Sequence, residues 1–64
     1  MVTDKDLLND ICQNADMGRY SLQKVLERTD DARMRRSMRT QLSEYQDTYN
    51  QAKRMLYELS LIHI

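Results

Sequence analysis

The sequence predicts an all-α fold: an antiparallel two-helix hairpin, about residues 4–28 and 31–58, forming half of a four-helix bundle. Three observations lead there. The 64 residues contain no proline and one glycine, and they are rich in Leu, Met, Gln, Arg and Lys, all good helix formers. Apolar residues recur at heptad spacing in two separate runs. Between the runs lies a short stretch of oxygen-bearing side chains, "RTDDAR".

The first helix begins after Thr3, whose hydroxyl can accept from the Asp6 amide, while Asp4 and Asp6 suit the positive end of the helix dipole. Its seam is Leu8, Ile11, Ala15, Gly18, Leu22 and Val25, spaced 3, 4, 3, 4, 3, with Leu7, Cys12 and Leu26 widening it into a core-facing stripe. Thr29 and Asp30 supply a stop and a fresh N-cap, because short polar side chains compete for backbone amides. The second helix carries Met38, Leu42, Tyr45, Tyr49, Ala52, Leu56 and Leu59, spaced 4, 3, 4, 3, 4, 3, with Met34 and Met55 beside them.

So short a connection makes the helices antiparallel neighbours. Pairing about the Thr29–Asp31 turn sets Leu22 opposite Met38, Gly18 opposite Leu42, Ala15 opposite Tyr45, Ile11 opposite Tyr49 and Leu8 opposite Ala52. Large faces small at several of these layers, as interdigitation requires. Gly18 costs up to about 1 kcal/mol of helix propensity and offsets it by letting the second helix approach. The same register brings Asp4, Asp6 and Asp10 towards Lys53 and Arg54.

Charge divides between the helices. Residues 1–31 hold seven acids against four bases, and residues 32–58 hold six bases against three acids, although the whole chain is neutral. Global charge therefore favours neither nucleic acid nor an anionic membrane. No run approaches the roughly 18 apolar residues of a membrane span, and "MVTDKDLLND" has no basic segment followed by an apolar one. The expectation is a cytosolic chain with Cys12 reduced and packed as a small hydrophobe. A single cysteine excludes an intramolecular disulfide, so a chain this short must draw stability from other chains or further helices.

Taken together, "LLNDICQNADMGRYSLQKVL" and "QLSEYQDTYNQAKRML" resemble the first hairpin of the small ferritin-like or spore-coat-F-like helical bundles of spore-forming bacteria, over Asp6 to about Glu58. The resemblance implies a four-helix bundle of which two helices are present. In metal-binding members it implies iron held by a glutamate on one helix and Glu-x-x-His on another. Here the sequence departs: three residues after Glu27, Glu44 and Glu58 stand Asp30, Asp47 and Leu61. No metal role carries over, and no cofactor is expected.

The last six residues, "LSLIHI", break with the polar style of the rest. They translate CTG TCT CTT ATA CAC ATC, the transposon-end adapter of shotgun sequencing libraries. The expectation is that residues 1–58 are the native part, a truncated fragment of a longer bundle, and that residues 59–64 with the lone His63 are adapter-derived.

Candidate chemistry elsewhere is sparse. "RMRRSMR" places Arg33, Arg35, Arg36 and Arg39 in the opening turns of the second helix, where guanidinium forks could hold phosphates or an acidic partner. Without interleaved aromatics or net positive charge, nucleic acid is not the expected ligand. Tyr20, Tyr45, Tyr49 and Tyr57 read as core tyrosines with hydroxyls at the rim. With no nucleophile–base pair and no glycine-rich loop, no enzyme class is indicated. The expected role is a non-enzymatic interaction module. It would self-associate, most simply as a two-fold dimer, or pack with a C-terminal helical half outside this chain. Two alternatives stand beside it: a ferritin-like metal protein whose ligands lie in that other half, and a small nucleic-acid or regulator-binding protein that uses the arginine cluster.

Overall fold

Thr3 starts the structure. Its hydroxyl accepts from the Asp6 amide at 3.1 Å, and the Asp6 carboxylate accepts from the Thr3 amide at 3.1 Å, a reciprocal capping box. From this cap α1 runs over Asp4–Arg28 and α2 over Ala32–Ile62 in the computed structural model, which describes residues 1–62. The two helices pack antiparallel as a hairpin, so the all-α expectation holds.

The connection is three residues long. Thr29 ends α1 with its amide bonded to the Val25 carbonyl at 3.0 Å, and its hydroxyl accepts from the Asp31 amide at 3.3 Å. Asp31, not Asp30, caps α2: its carboxylate accepts from the Met34 amide at 2.8 Å, and its carbonyl takes the first helical bond, from Arg35. Arg35 closes the turn from the other side. Its Nη1 donates to the carbonyls of Leu26, at 2.5 Å, and Thr29, at 3.0 Å, satisfying groups that the end of α1 leaves unpaired.

Helix α2 continues four described residues beyond the expected end at Glu58. Nothing stops it: no glycine or proline follows, and Leu59 falls on the seam and is half-buried. Leu61 and Ile62 extend the helix with their side chains exposed. The expectation for His63 and Ile64 lies outside the described residues.

The interface is thin. Among the described residues only Cys12, Ala15, Leu26 and Ala52 are buried, and no large side chain is completely enclosed. The α1 seam is rotated from the expected one. It runs Leu8, Cys12, Ala15, Arg19, Leu22, Leu26, an unbroken 4, 3, 4, 3, 4 spacing, while Ile11 and Val25 are exposed at its edge. Small residues at Cys12, Ala15 and Ala52 let the helix axes come close, and that favours the rotated seam over one carrying the branched Ile11 and Val25. On α2 the expected seam stands at Met38, Leu42, Tyr49, Leu56 and Leu59, half-buried about Ala52, but Tyr45 is 39% exposed at its edge and Gln46, bonded to Arg19, is half-buried in its place.

The register also differs by about one turn. Gly18 faces the Tyr45 ring rather than Leu42, although the turn spans Thr29–Asp31 as expected. No ion pair joins Asp4, Asp6 or Asp10 to Lys53 or Arg54 among the described residues. The ion pair formed there is Asp16 with Arg19. The result is one layer of two helices, with Cα extents of 49 × 19 × 12 Å.

Candidate interaction surface

A hairpin one layer thick has two broad faces. Stepping 100° per residue from the seam assigns side chains to each. One face is polar and built around Arg19. Half-buried on the seam, its guanidinium bonds to the Asp16 carboxylate and the Gln46 amide oxygen, and it lies over the Tyr49 ring at 4.7 Å from the centroid. Gln46 in turn donates to Asn50 at 3.0 Å, and Lys53 approaches Tyr49 at 5.5 Å. This network satisfies its own polar groups, and no described buried side-chain nitrogen or oxygen lacks a partner.

The opposite face is different. On α1 it presents Leu7, Ile11, Asn14, Gly18, Ser21 and Val25, spaced 4, 3, 4, 3, 4. On α2 it presents Met34, Gln41, Thr48, Met55 and Ile62, each seven residues from the last. None of these is charged, in a chain in which 31% of residues are, although Glu44 borders the face beside Gln41, Tyr45 and Thr48. Leu7, Ile11, Val25, Met34, Tyr45, Met55 and Ile62 are between 39% and 73% exposed. The arrangement is a second heptad seam beside the first, and the hairpin itself does not cover it.

The two ends of this face are unlike. At the open end, Leu7, Leu8, Met55, Leu59 and Ile62 line a groove of about 400 Å³, with Asp4 and Glu58 at its edge. At the turn end, Val25 and Met34 stand exposed, flanked by Arg28 and Arg33.

The arginine cluster does not form one site. Arg35 is half-buried and spends its fork on the α1 carbonyls. Arg36 and Arg39 border an open groove with Thr40, Ser43 and Glu44 on the back of α2, and Arg33 lies towards the charge-free face. The tyrosines also divide. Tyr49 is half-buried under Arg19, and Tyr45 covers Gly18 at the edge of the seam. Tyr20 and Tyr57 are exposed rather than part of the core, Tyr20 with Lys24 at 4.6 Å from its ring centroid. Cys12 is buried and free, the small hydrophobe expected of it.

Sequence reasoning passed over two features of this surface. Arg19 lies four residues after Ala15 and three after Asp16, and that spacing puts it on the seam and beside an acid. The seven-residue recurrence of uncharged residues from Met34 to Ile62 marks the second face. Apolar counting alone hides both, because one depends on an arginine and the other on Asn, Ser, Gln and Thr.

Among the described residues no three His, Cys, Asp or Glu side chains converge, and no helix is long and apolar enough to cross a membrane. Comparison with protein-family models, curated proteins and solved structures found no match to this chain.

Proposed function

We propose that this chain is a non-enzymatic helical-bundle module whose work is association: its charge-free face packs on a second helical hairpin, a second copy of the chain, to complete a four-helix bundle. The observation that carries this is the second heptad seam. A hairpin with four buried residues in its interface has little core of its own, and helices in proteins draw most of their stability from tertiary packing. Loss of charge from the centre of a surface, with exposed Leu, Ile, Val and Met in its place, is the composition of an interface core. The face is also large enough. The hairpin spans 49 × 19 Å, comparable to the roughly 800 Å² per partner of a standard interface.

Placing a charge on each face tests the reading. Ile11→Lys puts an ammonium on the charge-free seam, while Met17→Lys, at a more exposed position on the outer side of α1, does not. Measured by sedimentation at matched concentrations, Ile11→Lys is expected to lose association and Met17→Lys to keep it. Equal behaviour of the two variants would reject this face as the interface.

A further inference from the structure

Building on that reading, we infer that the two copies meet with their turns at opposite ends, α1 against α1 and α2 against α2, so that the turn end of each copy seats in the groove at the open end of the other. The face is self-complementary only in this sense. Its open end is a groove lined by Leu7, Leu8 and Met55, extended by Leu59 and Ile62 of the tail, with the carboxylates of Asp4 and Glu58 at the edge. Its turn end carries the exposed Met34 and Val25, with Arg28 and Arg33 beside them. A two-fold axis across the middle of the face, near Gly18 and Tyr45, lays Arg28 and Arg33 of each copy over Asp4 and Glu58 of the other. Every contact then occurs twice, as an isologous interface demands. With the turns together, arginines would meet arginines and carboxylates would meet carboxylates.

Charge over the whole hairpin points the same way. The turn half, residues 19–45, holds seven bases against four acids, and the open half, residues 1–18 and 46–64, holds three bases against six acids. Turns at opposite ends cancel these halves level by level. Turns together would double the excess at each end. Among the described residues Glu58 and Arg33 form no ion pair within the hairpin.

Cross-linking reads the arrangement directly. In a Cys12→Ala background, chains carrying Asp30→Cys at the turn are mixed with chains carrying Val2→Cys at the open end and treated with a short bismaleimide. The ends lie too far apart within one 49 Å hairpin to be bridged. The expected product links an Asp30→Cys chain to a Val2→Cys chain. A dimer that links Asp30→Cys only to itself overturns this arrangement and leaves the module reading in place, whereas a folded monomer at tens of micromolar overturns both. Charge reversal gives a second readout. Glu58→Lys or Arg33→Glu alone is expected to weaken association roughly tenfold at low salt, and the two together in one chain to restore it. Both changes suit the dipole of α2, so folding is retained. If the single variants associate as tightly as the parent, the turn-end arginines do not sit at the carboxylates and the inference is wrong.

Discussion

The Tyr45 ring occupies the space that a side chain at Gly18 would fill: an ideal Cβ there would stand 2.7 Å from Cζ and 2.8 Å from Cε1. Glycine at this point of α1 is thus explained by contact with one residue of α2, and that contact fixes the register of the hairpin.

A double-mutant cycle isolates the contact. Alanine is favoured over glycine within a helix by about 1 kcal/mol, so with the ring removed by Tyr45→Ala, Gly18→Ala is expected to stabilise the chain. With Tyr45 present, the same change must displace the ring and is expected to destabilise by about 1 kcal/mol or more. Chemical denaturation of the four chains at one fixed concentration gives the result. No coupling between the two positions would show that Tyr45 does not pack on Gly18.

Arg19 gives a second expectation. Its planar fork bridges Asp16 and Gln46 while its face covers Tyr49, a combination that lysine cannot reproduce. Arg19→Lys keeps the charge and is expected to cost about 1 kcal/mol in thermal melts. A melt unchanged by Arg19→Lys would mean that charge alone matters at this layer.

The turn supplies a third. Asp31→Ala removes the N-cap of α2 and is expected to cost about 1 kcal/mol, whereas Asp30→Ala, one residue earlier and without a hydrogen bond to the helix, is expected to change stability by less than about 0.5 kcal/mol. The reverse order would assign the cap to Asp30.

Much of this architecture is legible in the sequence, and the departures have identifiable causes. Thr3, the end of α1 and the α2 seam follow from capping chemistry and heptad spacing, signals that lie within a single helix. The rotation of α1 does not. Ile11 and Val25 are more hydrophobic than Cys12 and Arg19, so hydrophobicity ranks them as core. The interface instead selects small residues that allow close approach, and an arginine that its neighbours satisfy. Which of two adjacent aspartates caps α2 is a one-residue choice that the pattern "TDD" leaves open. The arginine run reads as one patch in sequence, but a helix distributes it over three directions.

The tail is open to experiment as well. Helix α2 carries its seam to Leu56 without Leu59–Ile64, so a chain ending at Glu58 is expected to keep the hairpin and nearly all its helix content by circular dichroism. Losing the half-buried Leu59 costs about 1 kcal/mol, losing the exposed Leu61 and Ile62 reduces nonspecific aggregation, and the open-end groove keeps Leu7, Leu8 and Met55 as its lining. Unfolding on truncation would contradict an adapter origin for these residues.

The central claim, that the hairpin completes its bundle with a second copy, is tested most directly by sedimentation equilibrium of the full chain across micromolar concentrations, with helix content followed in parallel. The account predicts a species of twice 7.7 kDa that dissociates on dilution with concerted loss of helix. A stably helical monomer of 7.7 kDa throughout that range would contradict it.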